Sequence, residues 1–158
     1  MSFDKLLIGE YYSKKDLSKI FDNPNIEKIR EGIYNQTESE TFFFVDLEKK
    51  GKEERFHFDD FFEGDYFHWD SQTTQHIDTP KIKEIVNGTR IPHLLIRISP
   101  KVKSVTQPSI YCGRLKYIEY EKGTYKPVHI IFQNIDYQDN TNNEGLLEVY
   151  SWKPNKIG

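Results

Sequence analysis

"TFFFVDLEKK", residues 41–50, carries apolar side chains on both sides of one extended segment. Successive strand residues point to opposite faces, so Phe43, Val45 and Leu47 share one face while Phe42 and Phe44 share the other. A strand that is apolar on both faces must be covered on both. Helices therefore have to pack on at least one side of the sheet to which it belongs.

Working outward, "EKKGKEER" (48–55) reads as a charged hairpin connection, and "RFHFDDFF" (55–62) alternates Phe56 and Phe58 against Arg55 and His57 as a half-wet strand does. "HLLIRISPK" (93–101), "SIYCGRLKYIEYEKG" (109–123), "PVHIIFQNI" (127–135) and "GLLEVYSW" (145–152) are all predicted as strands from their apolar alternation. Gly113 is the expected bulge, "EKGTYK" (121–126) a hairpin turn, and "DYQDNTNNEG" (136–145) a mobile loop.

Helices are marked by their ends. Ser13 is placed to cap a helix with Asp16 closing a capping box, and Leu17, Ile20 and Phe21 recur on one face. "NPNIEKIREG" (23–32) predicts a brief helical turn after Pro24 that stops at Gly32. Thr79 and Pro80 open a further helix with Ile82, Ile85 and Val86 on one face, and Gly88 ends it. The expected architecture is one α+β domain over 1–158, mainly β, with a helical entrance at 11–32 and a bent sheet or partly open β-barrel at 33–158. Two or three short helices lie at its periphery.

Bulk properties bound the function. The 158 residues suit a single core, and a formal charge of −3 restricts any nucleic-acid contact to a local patch. The lone Cys112 rules out an intrachain disulfide and is expected as a buried core thiol in a reducing compartment. No apolar run approaches the roughly 20 residues needed to span a bilayer, so the expectation is a cytoplasmic chain without membrane contact. Walker, G-x-S-x-G, H-E-x-x-H and deaminase patterns are all missing, and no catalytic residue, metal or cofactor is assigned to this chain. His68, His76 and Asp70 have no specific metal-ligand spacing, and Asp59 and Asp60, being adjacent on a strand, cannot act as a dyad.

Binding of a planar ligand fits better. In "FFEGDYFHWDSQT" (61–73), Tyr66, Phe67 and Trp69 offer rings, while His68, Asp70, Ser71 and Gln72 offer donors and acceptors, with Asp60 close by. An extruded base needs that mixture, a stack for its face and hydrogen bonds for its edge. The plainer reading puts Phe67 and Trp69 in the core. Arg97, Lys101, Lys103, Arg114 and Lys116, with Tyr111 interleaved, are the candidates for phosphate contacts, joined by Lys122 and Lys126.

The order "EGIY", "TFFFVDLEKK", "RFHFDDFFEGDYFHWDSQT", "HLLIRISPK", "YCGRLKYIEYEKGTYKPVHIIFQN" resembles a C-terminal domain of unknown function found in proteins with a phospholipase-D-type nuclease and a DEAD-box helicase. The likeness runs from about Tyr11 to Trp152 and centres on F-H-W-x-S-Q (Phe67, His68, Trp69, Ser71, Gln72) and on Tyr111 to Gly113. Asp70 departs from the Gln or Glu of that pattern. The resemblance implies a barrel similar to SRA and PUA-like domains. It also implies a target-recognition role for 5-methylcytosine or 5-hydroxymethylcytosine in the duplex DNA attacked by ATP-dependent type IV restriction enzymes. Nuclease and helicase activity, with their ATP and Mg, would then reside in other segments of the parent protein. Two rival expectations are a module that docks on those segments and a binder of modified RNA bases.

Overall fold

The computed structural model describes residues 3–29, 32–48, 60–71, 78–122 and 128–154. Ten strands are seen among them: β1 (Tyr11–Tyr12), β2 (Ile33–Asn35), β3 (Glu40–Asp46), β4 (Phe61–Glu63), β5 (Tyr66–Asp70), β6 (Ile91–Arg97), β7 (Lys101–Val102), β8 (Val105–Thr106), β9 (Ser109–Tyr120) and β10 (His129–Asn134). Helices α1 (Lys14–Ile20), α2 (Pro80–Val86) and α3 (Glu144–Ser151) accompany two 3₁₀ turns, Phe3–Lys5 and Pro24–Lys28.

The main sheet runs β2-β3-β6-β9-β10-β5-β4, with β1 added beside the start of β9. It is mixed, because β3 and β6 pair in parallel while the other ladders are antiparallel. The long β9 serves two half-sheets, pairing with β6 through Ile110–Arg114 and with β10 through Leu115–Tyr120. Its expected bulge is present: Gly113 and Tyr111 face consecutive residues Leu94 and Leu95, and Gly113 sits at φ +91°.

Three strands separate β3 from β5 in the ladder, about 19 Å in a flat sheet. Yet the Phe43 and Trp69 rings are 4.6 Å apart and the Phe43 and Phe132 rings 5.6 Å apart. The sheet therefore curls until its halves share one core, closed below by Ile82 and Ile85 of α2 and by Leu146 and Val149 of α3. The outer face of β3 is covered separately. Phe42 packs there with Phe3, Leu17, Phe21, Ile26 and Ile29 from the N-terminal helical segment. Both halves of the two-faced reading of β3 thus hold. α1 carries the full capping box between Ser13 and Asp16.

The bent sheet is the form seen: among the described residues β2 and β4 are the ends of the sheet order, so the mixed sheet curls without closing into a barrel. Two expectations change. "GLLEVYSW" is a helix. Asn143 accepts a hydrogen bond from the Leu146 amide, and buried Leu146, Val149 and Tyr150 recur at one-face helical spacing against β4 and β9. The 136–145 segment, expected as a mobile loop, is anchored: Asp136 binds Arg114, and the Asn143 side chain donates to the Gly9 carbonyl at 3.0 Å. Most of "RFHFDDFF", most of the "EKKGKEER" connection, and much of "EKGTYK" lie outside the described residues, as do Asp59, Gln72, His76 and Lys126.

Candidate functional site: a cleft at the ends of β3 and β5

Where the curl brings the ends of β3 and β5 together, a cleft of about 850 Å³ opens between them, the start of α1 and the 106–109 segment. Its aromatic lining comes from Tyr12, Phe44 and Trp69, and its carboxylates include Asp46, Asp60 and Asp70. Lys14, Lys15 and Arg97 contribute the positive charge. Each is held by local structure. Lys14, in the first turn of α1, lies 5.1 Å over the Phe44 ring and donates to the Ile29 carbonyl. Arg97 bridges Asp46 at 2.5 Å and the Gln107 carbonyl at 2.9 Å, fastening the base of the β7–β8 hairpin to the cleft wall.

The predicted base-pocket residues separate under strand alternation. Trp69 lines the cleft but is only 6% exposed, packed into the core against Phe43, so it is a wall and not a free-standing ring. Tyr66 is placed elsewhere. It is 43% exposed, three residues before Trp69 on β5 and therefore on the opposite face, about 10 Å along the strand. Asp60 is buried and accepts from the Asp70 amide at 2.9 Å, which sets both carboxyl groups at the cleft. Ser71 is fully buried, its hydroxyl accepting from the Val128 amide at 2.9 Å, a ladder-end role.

His68 does not line the cleft. Its ring stacks on Phe61 at 4.5 Å, and its nitrogens meet Glu63 and His129. His129 in turn meets Asp70 at 2.5 Å, and that contact holds the imidazole above the usual histidine range against the opposing effect of burial. A chain Glu63–His68–His129–Asp70 thus crosses β4, β5 and β10. Among the described residues no group of three or more His, Cys, Asp or Glu can hold a metal ion.

The phosphate candidates divide too. Arg97 lines the cleft, and Lys101 and Lys103 stand exposed on the hairpin beside it. Arg114 and Lys116 lie further along β9. Arg114 is forked onto Asp136, with Nε and Nη2 at 3.0 and 2.9 Å, and the guanidinium holds that carboxyl below the usual carboxylate range. Lys116 borders a second, smaller apolar groove with Ile85, Pro92 and Ile135. Tyr111 is buried, its hydroxyl 2.7 Å from His93 Nδ1, so it has no surface from which to meet a phosphate. Cys112 is a buried thiol with its pKa pushed up by desolvation, as expected.

Tyr12, Lys14, Phe44 and Gln107 were not foreseen from the sequence, since they reach the cleft from three separate segments. One signal was legible. Between Glu84 and Glu119 the chain has no carboxylate, yet carries Arg90, Arg97, Lys101, Lys103, Arg114 and Lys116. The arginines of that interval are engaged by Glu84, Asp46 and Asp136, leaving the lysines as the cations with the least competition.

No helix among the described residues is long and apolar enough to cross a membrane. No curated protein matches the chain. A family model matches residues 6–133, most of the length, and on that match the chain belongs to the family described as Domain of unknown function (DUF3427).

Proposed function

We propose that this chain reads modified cytosine, 5-methylcytosine or 5-hydroxymethylcytosine, in duplex DNA by receiving one flipped base. It would serve as the target-recognition part of an ATP-dependent type IV restriction endonuclease of the SauUSI kind. The observation that carries the reading is the cleft: about 850 Å³, within the roughly 300–1,000 Å³ of small-ligand sites, with rings and carboxylates together.

The charge layout favours a base over a phosphate. Carboxylates at Asp60 and Asp70 repel an anion but accept from the exocyclic amine of cytosine, and thymine has a carbonyl at that place. Lys14, Lys15 and Arg97 border the same space, with Lys101 and Lys103 beside it, where a backbone would pass. Unstacking costs a few kcal/mol, comparable to the ~1–3 kcal/mol that stacking on aromatic walls returns. Burying one methyl adds only about 0.8 kcal/mol, close to fourfold in affinity, so the pocket alone discriminates weakly.

Matched duplexes carrying one 5-methylcytosine, one 5-hydroxymethylcytosine or plain cytosine test the reading by fluorescence anisotropy. Trp69 and Trp152 are the two tryptophans, so Trp152→Phe leaves Trp69 as sole reporter of cleft occupancy. Preference for a modified duplex together with a change in Trp69 emission is expected; equal binding of all three would sink the proposal.

A second reading has its own observation. Ile91 and Ile135 are exposed and line the smaller apolar groove, as a surface docking on helicase or nuclease segments would need. Binding through it would be insensitive to salt, whereas phosphate contacts weaken steeply.

A further inference from the structure

The β7–β8 hairpin stands apart from the main sheet as its own two-stranded ribbon. Lys101 pairs with Thr106 and Val102 with Val105, so the two valines lie side by side on one face. They are 49% and 61% exposed. A ribbon of this size has little stability of its own, and leaving its apolar pair in water stabilises nothing.

The turn adds a second oddity. Lys103 and Ser104 hold φ +51° and +67°, the left-handed pair a two-residue turn requires, where Asn-Gly is the unstrained choice. Lysine at the tip puts a cation where the ribbon projects furthest. Neither Lys101 nor Lys103 has an ion-pair partner among the described residues, and the hairpin lies within the carboxylate-free interval. Its base is fixed by Arg97 and by the Gln107 amide, which donates to the Pro100 carbonyl at 2.9 Å. Thr106 and Gln107 also line the cleft, so whatever fills the cleft lies next to the ribbon.

We infer that the Lys101–Thr106 hairpin enters the major groove beside the cleft, where Val102 and Val105 read C5-methyl groups of the bases flanking the target. A major groove about 12 Å wide admits a two-stranded ribbon, and the methyl of thymine is displayed there as an apolar contact. The lysines meet the phosphates on either side. The inference rests on the DNA-binding half of the reading above and deepens it, adding a source of sequence context outside the pocket.

Replacing dT by dU deletes that methyl and nothing else. Duplexes with a single 5-methylcytosine and thymines at the flanking positions are compared with duplexes in which each dT is replaced in turn by dU. The whole chain should lose about fourfold in affinity per methyl read. The V102S/V105S chain, with its thermal midpoint unchanged because both side chains are exposed, should bind dT and dU duplexes alike. Indifference of the unaltered chain to dU at every position overturns the inference, and so does a V102S/V105S chain that keeps the dT preference. The pocket is judged separately, by target 5-methylcytosine against cytosine: a chain that senses flanking methyls but not the target methyl keeps the hairpin and loses the pocket. A chain with no affinity for duplex DNA loses both.

Discussion

His68 and His129 face one another across the β5–β10 ladder with 3.0 Å between Nδ1 and Nε2, a contact that a proton must bridge. The outer nitrogens are already committed to Glu63 and Asp70. The hydrogen bond from His129 Nδ1 to Asp70 favours the charged form of the His129 ring. Asp70, and at longer range Glu121 and Asp60, favour that charge.

Because the folded pKa of His129 lies above the ordinary 6.5, its stabilising contribution is complete below 6.5 and is lost as pH rises through the raised value. His93 behaves in the opposite sense. Burial holds it neutral down to about 4, with Tyr111 and Glu40 as partners at 2.7 and 2.9 Å, so its contribution is present above 6.5 and lost as pH falls toward 4. Urea midpoints are expected to peak near pH 6.5. His129→Gln should flatten the alkaline limb only, and an unchanged alkaline limb would show that the charged form of His129 does not stabilise the fold.

Gly113 holds the bulge of β9 against Asp136. An added Cβ would come within 2.5 Å of the Asp136 Cβ and Oδ2, at a φ of +91° that L residues resist. Gly113→Ala is therefore expected to destabilise by at least about 2 kcal/mol in urea unfolding, from the backbone and the displaced carboxylate together. Loss of less than half that amount would mean the strand shifts freely at this point.

Asn143 joins both ends of the described chain. Its Oδ1 caps α3 and its Nδ2 donates to the Gly9 carbonyl, each at 3.0 Å. Asn143→Ala should lower stability by about 1–2 kcal/mol, the usual worth of a helix cap. Asn143→Asp, which keeps the cap acceptor but not the amide donor, should recover part of that difference.

Trp69→Ala is a poor probe of binding, since removing so buried a ring should destabilise by about 3–5 kcal/mol. Trp69→Phe, with its smaller volume change, is expected to fold and to keep the rank order of duplexes. A thermal midpoint indifferent to Trp69→Ala would contradict the packing against Phe43.

Lys101→Gln and Lys103→Gln should each reduce the slope of log affinity against log salt by about 0.9 if each meets one phosphate. Lys116→Gln, beside the other groove, should leave that slope where it was. The reverse pattern would put the DNA on the opposite side of β9.

Local rules account for what could be read in advance. The capping box of α1 needs only Ser13 and Asp16, the double-sided burial of β3 only the alternation of 42–47, and the bulge only a glycine inside a long strand. α3 also reads as a strand because Leu146, Tyr150 and Trp152 lie an even number of residues apart, as on one strand face, with Glu148 between them. Asn143 as a cap, and α3 lying across β4 and β9, decided the other way.

The chain order thus determined which segments are strands with a wet face, which are covered on both, and where the cations gather, because those follow from neighbours within a turn or a strand. Tertiary structure alone decided the rest. The curl that sets Phe43 against Trp69, the pairing of His68 with a histidine 61 residues away, and the meeting of Tyr12, Phe44, Asp60 and Gln107 around one space all depend on where a mixed sheet bends. That bend is a property of the packed core as a whole, and no single stretch encodes it.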